Sequence, residues 1–407
     1  MKKIIGNFSY VFLANITNAL SKFIYLIIIT KFLTVKELGA YTLALAITAP
    51  IALFFNMKMR SYIISNDFID YDKYSNFRNI ANLFSIIIVI GVSCLFYIDI
   101  IWIMVLVAIS KLIEVNSEFY QAWPNKEKKF QLPSKLMIVR TLINIITFIL
   151  VALLTRDLIV TLFINILAQL IMLFIEKKIN LNLVNLDIYK YEKLNYKIIL
   201  LTLLPLGIVQ ALMSFSTSLP KFLLDSFSNI EAVGIYSAVT YFMTIVSLFM
   251  ASLNQTLLPY IKKVYKENVF KFIKIINIHC NFIFMVLSLI FLIFTFLFGD
   301  KLLSLIYTKS FAEYDYILSI CAASVFFNMS GWIYDSALLL SNAIKYQPLF
   351  LIISMLITLG VGIILILEFN ILGATISLVI FQFLNTLSKA IYFNLTMVKI
   401  KKVGRKY

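Results

Sequence analysis

Two lysines, Lys22 and Lys221, interrupt long apolar stretches, and each belongs to a set of polar residues with helical spacing. Asn15, Asn18, Lys22 and Tyr25 fall at intervals of 3, 4 and 3, and Gln210, Ser214, Thr217, Lys221 and Asp225 at 4, 3, 4 and 4. Residues at such intervals share one helix face. A face of this kind forms an electropositive patch flanked by amides and hydroxyls. It cannot lie against hydrocarbon at low cost, since a lysine at the bilayer centre costs about 2.5–3.5 kcal/mol and unsatisfied amides add to that. Both faces are therefore expected to line a water-filled cavity or to meet each other. At Lys221 a second reading stands beside this one, in which the ammonium snorkels to the outer surface and pairs with Asp225, a contact worth a few tenths of a kcal/mol.

Mixed charge marks a third face, Lys111, Glu114, Glu118 and Gln121 at 3, 4 and 3, where Lys111 can pair with Glu114. Glu118 and Arg140 lie at similar depths on consecutive spans, which predicts a Glu118–Arg140 pair, either as a hairpin clasp or as a gate or ion-coupling element. Ser324, Asn328 and Asp335 share a face further on, making Asp335 a candidate proton or cation site against a structural carboxylate. Lys389 and His279 lie close to predicted span ends. Snorkelling accounts for the first and a boundary position for the second.

The elements that carry these residues follow from composition. Of 407 residues, 61% are hydrophobic and 14% charged, far more apolar surface than a water-soluble core requires. At about 20 residues per crossing, roughly twelve spans are predicted, near 8–30, 39–58, 79–97, 100–121, 136–154, 158–176, 198–221, 233–258, 274–298, 313–340, 348–367 and 372–395. The basic start "MKK" lacks a following small-residue cleavage site, so the first apolar segment reads as a span and not a removed signal. With the N-terminus inside, the outer loops hold only Lys31, Lys36, Arg156, Lys301 and Lys309, and most other basic residues fall on inner segments. This bias places both termini in the cytoplasm. The net charge of +16 then faces anionic lipid headgroups, and nucleic acid is not an expected partner.

Cys94, Cys280 and Cys321 lie in apolar runs without metal-ligand spacing, and one histidine argues against imidazole chemistry. No phosphate loop, nucleophile elbow or HExxH is present. Glu114 and Glu118 share a face, but without a nucleotide-binding loop they do not read as a glycosyl transferase, and the short outer loops argue against a sugar polymerase. The chain is not expected to be an enzyme, and no cofactor or metal is expected. Coupling to a proton, to Na⁺ or to the membrane potential stays open.

The longest inner loop, residues 177–197, separates the spans six and six. This predicts an N-terminal lobe over 1–176, a linker over 177–197 and a C-terminal lobe over 198–407. Halves of six spans start and finish on the same side, so their symmetry would be a parallel repeat about an axis along the membrane normal. "FLTVKELGAY" (32–41) and "FSNIEAVGIY" (227–236) align without a gap, and "LSKF" (20–23) echoes "LPKF" (219–222) one helical turn out of register. In both longer segments Gly-x-Tyr is read as the start of the next helix.

These residues carry a resemblance. "LSKF" in the first span, "FLTVKELGAYTLA" leading into the second, and the returning "LPKFLLD" and "EAVGIYSA" resemble the polysaccharide flippases of the multidrug/oligosaccharidyl-lipid/polysaccharide exporter superfamily. The size and twelve-span layout are most similar to the O-antigen (Wzx-type) branch. The resemblance implies an all-α polytopic protein of the bacterial inner membrane, with two six-helix lobes related by a pseudo-two-fold axis. It implies export of an undecaprenyl-pyrophosphate-linked oligosaccharide to the periplasmic leaflet by alternating access, with a polysaccharide polymerase and chain-length regulator as further partners. An ion-coupled drug or small-solute antiporter of the same superfamily is the alternative. The central cavity would draw on Lys22, Asn15, Asn18, Tyr25, Lys221, Asp225, Gln210, Ser214 and Thr217, and gating or ion coupling on Lys111, Glu114, Glu118, Arg140 and Asp335.

Overall fold

The computed structural model describes residues 2–191, 195–341, 343 and 346–404, with side chains throughout except at 2–9, 248–249, 251–259 and 400–404. Among these residues all regular structure is helical. Helix α1 (Lys2–Phe32) ends where Thr34 caps α2 (Val35–Asn56) through a reciprocal box with Glu37, which satisfies two otherwise orphaned backbone donors. Two successive left-handed residues, Met57 and Lys58, break α2 from the short α3 (Met59–Ser65). Asp70 caps α4 (Tyr71–Phe96), and α5 (Ile101–Lys126) and α6 (Gln131–Thr155) follow. Left-handed Arg156 closes α6 and Asp157 caps α7 (Leu158–Asn182) one residue later.

Beyond α8 (Tyr196–Phe227), Asn229 caps α9 (Ile230–Glu267). Thr34 and Asn229 occupy the same position in the two aligned ten-residue segments. The repeat is thus a shared helix start, lying upstream of the Gly-x-Tyr that the sequence suggested. Asn268 caps α10 (Val269–Lys274), which passes through a π-helical turn (Ile275–Cys280) into α11 (Asn281–Ile306). Helices α12 (Asp315–Leu340) and α13 (Gln347–Gly404) complete the chain. α13 breaks at Asn370 (φ 49°, ψ −122°), so it supplies two limbs. At this break a Cβ on Gly373 would stand 2.0 Å from the Leu365 carbonyl oxygen, which only glycine avoids.

Ten described segments are long and apolar enough to cross a membrane. The segment Gln347–Lys399 contains both limbs of α13, and α5 falls outside the ten because Lys111, Glu114 and Glu118 crowd it with charge. The described residues therefore form twelve crossing limbs, as expected from the sequence. The chain is a multi-pass membrane protein. Its outward side chains fit hydrocarbon: α11, for instance, exposes Phe282, Ile290, Phe296 and Leu297.

The chain forms two compact units, Met1–Ser218 and Leu219–Tyr407, and their division falls inside α8. The segment expected as a linker, 177–197, thus belongs to the first unit. Its composition is polar and basic, but Val184 packs with Trp123, Tyr74 and Phe119, and the Tyr189 ring lies 5.4 Å from that of Trp123. Backbone bonds fasten it, from Tyr71 N to the Tyr189 carbonyl and from Tyr191 N to the Asp70 carboxylate. The first half of α8 follows it into this cluster through Ile199 and Leu203.

In the first unit α5 is central, packing on α2, α4 and α7, while α1 packs on α6. In the second unit α12 is central, against α9, α11 and α13. There the Tyr307 hydroxyl donates to the Ala238 carbonyl and Thr386 to that of Phe327.

Candidate functional site

A partly open cavity lies inside the first unit among α1, α2, α5, α6 and α7. Its floor is a carboxylate held by two helices. Glu114 Oε1 accepts from Lys22 Nζ at 2.8 Å and from Asn18 Nδ2 at 3.1 Å, both from α1, while Oε2 accepts from Lys111 Nζ at 2.8 Å. The expected Lys111–Glu114 pair is present, and Lys22 joins it. The stripe on α1 and the stripe on α5 therefore meet each other, which offsets part of the cost of placing either in the membrane. Two ammonium groups share one carboxylate, so the cluster keeps a surplus positive charge. Lys22 is the more accessible cation, its side chain 35% exposed against 19% for Lys111.

Tyr25, one turn beyond Lys22, lines the same cavity and stacks on Phe148 at 4.1 Å between centroids. A hydrogen-bonded chain of polar side chains lines the cavity as well. Ser110 donates to Gln169 Oε1 (2.9 Å), Gln169 Nε2 to Asn165 Oδ1 (2.6 Å), and Asn165 Nδ2 to the Asn144 carbonyl (2.8 Å). Asn144 Oδ1 is buried at the wall and has no protein partner among the described residues, leaving an amide for a ligand or water. The α7 residues Asn165 and Gln169 were missed at the sequence level, although they are spaced four apart like the stripes that were found.

Arg140 also lines the cavity, but its partner is not Glu118. Arg140 Nη1 bonds Glu176 Oε2 on α7 at 3.1 Å, with both side chains almost wholly enclosed, and Ser117 donates to the same oxygen. Depth on consecutive spans suggested α5 as the partner, but α6 packs chiefly on α1 and α7. Glu118 instead accepts from Asn56 Nδ2 at 3.3 Å. Near it Arg78, 1% exposed, donates to the Phe55 carbonyl and to Asn116 Oδ1. Gln121 donates to Ser117.

The remaining predicted residues are more scattered. Asn15 is exposed on α1. Gln210 accepts from the Lys58 backbone N–H at 2.9 Å, so this amide fastens α8 to the break after α2. Thr217 donates to the Ser214 carbonyl. Lys221 and Asp225 are half-buried in the second unit.

In the second unit Asn328 Oδ1 accepts from Ser247, and Ser324 is turned to the Cys321 carbonyl. Asp335 Oδ2 meets Lys389 Nζ at 2.8 Å, and the Lys389 side chain is 5% exposed. Lys389 therefore does not snorkel, because α13 continues to Gly404, several turns past it. Removing one partner of such a pair leaves an uncompensated charge. Lys389→Ala is expected to destabilise the purified protein by about 3 kcal/mol, and Asp335→Asn with Lys389→Met to recover most of it, both measured by thermal unfolding in detergent.

Residues 4–265 match the model of the family described as polysaccharide biosynthesis protein. The chain is 29% identical over 398 residues to the capsular polysaccharide biosynthesis protein CapF of Staphylococcus aureus, covering 94% of this chain and 98% of that one. Among solved structures it resembles the lipid II flippase MurJ in an inward closed conformation, with a TM-score of 0.72, 15% identity, and 95% and 89% of the two chains covered. An inward-facing multidrug resistance MATE transporter of the MOP superfamily gives a TM-score of 0.69 at 12% identity, with 99% and 96% covered. These likenesses carry the fold of two six-helix lobes. The family model covers well over half of the residues, among them every residue that lines the charged cavity, and the chain belongs to the family described as polysaccharide biosynthesis protein.

Proposed function

We propose that this protein is a flippase that carries a lipid-linked oligosaccharide, joined through a pyrophosphate, from the cytoplasmic to the outer leaflet of the bacterial cytoplasmic membrane by alternating access. The observation that carries this reading is the Lys22–Glu114–Lys111 cluster, a surplus cation inside a membrane-embedded cavity walled by amides. Such a cluster offsets the desolvation of a diphosphate, and Asn18, Asn144, Asn165 and Gln169 suit sugar hydroxyls. The polyprenyl tail needs no polar site, as it stays in lipid. The name of the S. aureus relative favours a capsular repeat unit, and the resemblance of the sequence favours an O-antigen unit. Both cargoes present the same chemistry. An inside-negative potential favours outward movement of two charges by about 4–5 kcal/mol per 100 mV, so nucleotide hydrolysis is not required of this chain. Lys221 is proposed as a second cation along the path.

The test is translocation in proteoliposomes of a labelled oligosaccharide on polyprenyl pyrophosphate, beside the same glycan on a neutral polyprenol ether. The charged cargo is expected to cross at least tenfold faster than in protein-free vesicles, and the neutral one to show little acceleration. Equal movement of both would sink the reading.

A further inference from the structure

Glu114 is the unusual member of its cluster. An anion-binding cavity needs cations, yet this one places a carboxylate at the point where the two lysines converge. The carboxylate is held asymmetrically. Oε2 is bound by Lys111, three residues earlier on the same helix, a contact that persists whatever the neighbouring helices do. Among the described residues Oε1 is bound from α1 alone, by Lys22 Nζ at 2.8 Å and Asn18 Nδ2 at 3.1 Å. Those two donors sit one turn apart, so they form a paired grip for one anionic oxygen group. The Lys22 side chain is also the more exposed of the two lysines.

We infer that Glu114 is an internal stand-in for the cargo's diphosphate: it occupies the Lys22–Asn18 grip when the site is empty, and the diphosphate displaces it while Lys111 retains its other oxygen. The inference rests on the proposed function and adds a role for Glu114 that a passive ion pair does not have. A resident carboxylate lowers the standing cost of a lysine in the membrane, and it also weakens cargo binding, because the diphosphate must compete for Lys22. Exchange of this kind suits a carrier, which must let its cargo go on the far side. When the diphosphate leaves, Glu114 takes the grip back.

The two anions make opposite demands on a substitution. If Glu114 served only to hold the helices together, neutralising it would loosen the site and weaken binding. If it competes with cargo, neutralising it strengthens binding. The experiment is a titration of the full-length protein in detergent with farnesyl pyrophosphate, with inorganic pyrophosphate and farnesol as separate arms, read by thermophoresis. Glu114→Gln is expected to bind farnesyl pyrophosphate at least about tenfold more tightly than wild type, and the further change Lys22→Ala is expected to abolish that gain. Inorganic pyrophosphate should show the same order more weakly, and farnesol should show no difference among variants. Affinity in Glu114→Gln that is unchanged or reduced, with wild-type binding intact, overturns the inference and leaves the flippase reading standing. Absence of binding of either pyrophosphate to wild type and to Glu114→Gln overturns both. Should Glu114→Gln unfold, Glu114→Ala with Lys111→Met, which restores the charge balance, carries the same expectation of tighter binding.

Discussion

Replacing Lys22 with alanine is expected to lower translocation of the lipid-linked glycan by about 10- to 100-fold, the loss of one hydrogen bond to a charged group. The fold should survive, because Glu114 keeps Lys111 on Oε2 and Asn18 on Oε1. Lys22→Arg preserves charge and should lose less, although its planar fork cannot reproduce the geometry of the ammonium in this grip. Lys111→Ala is expected to be milder, since Lys111 is the less exposed cation and Lys22 still holds the carboxylate. Losing both lysines strands Glu114 in the membrane and should impair expression as well as transport. The combination Lys22→Met, Lys111→Met and Glu114→Gln removes every charge together, so it should express and unfold like wild type while remaining inactive. Delivery of glycan to the outer leaflet, measured beside membrane protein level, checks the whole set. Wild-type delivery by a well-expressed Lys22→Ala variant would remove the cluster from the cargo path.

Periodicity in the sequence was informative about faces and poor on neighbours. The 3–4 spacing picked out Asn18, Lys22 and Tyr25 on α1 and Lys111 and Glu114 on α5, and all five line the cavity. It could not say that the two faces meet, because a stripe shows which side of a helix is polar and nothing about what lies opposite. The same limit explains Arg140. Depth matched it to Glu118, and the packing of α6 on α7 gave it Glu176. On α7 the polar positions Asn165, Gln169 and Glu176 were legible by the rule applied to α1, but they are set in a segment so apolar that it read as a plain span. Chain continuity misled in two further places. Lys389 was close to a predicted span end, but α13 runs on to Gly404 and buries it against Asp335. The 177–197 segment has the composition of a linker, while its few aliphatic and aromatic residues are placed to cover Trp123. Span number was the firmest inference, since about 20 apolar residues per crossing is set by the bilayer. Even α5 was found by that rule, although Lys111, Glu114 and Glu118 interrupt it.

Breaking the Arg140–Glu176 pair is expected to produce the largest loss of stability, about 3–5 kcal/mol for Glu176→Ala. The Glu176 side chain is 0% exposed and that of Arg140 is 5%, so water cannot replace the missing partner. Removing Glu176 leaves a guanidinium enclosed between α6 and α7, and also deprives Ser117 of its acceptor. Arg140→Ala should cost less, because a carboxyl group can take up a proton whereas a guanidinium at this site has no comparable escape. Arg140→Met with Glu176→Leu fills a similar volume with no charge and should return most of the lost stability, as apolar replacements of buried ion pairs commonly do. The readout is thermal unfolding of the detergent-purified protein, with chemical denaturation of the same variants to separate stability from aggregation. Glu176 itself does not line the cavity, whereas Arg140 does. Transport by the double variant therefore carries separate information. If stability recovers and translocation does not, Arg140 contributes to the cavity beyond its bond to Glu176; if both recover, the pair is a clasp between α6 and α7. Should Glu176→Ala unfold like wild type, the clasp has no energetic weight and the rigidity of this wall must come from the apolar packing of α5, α6 and α7.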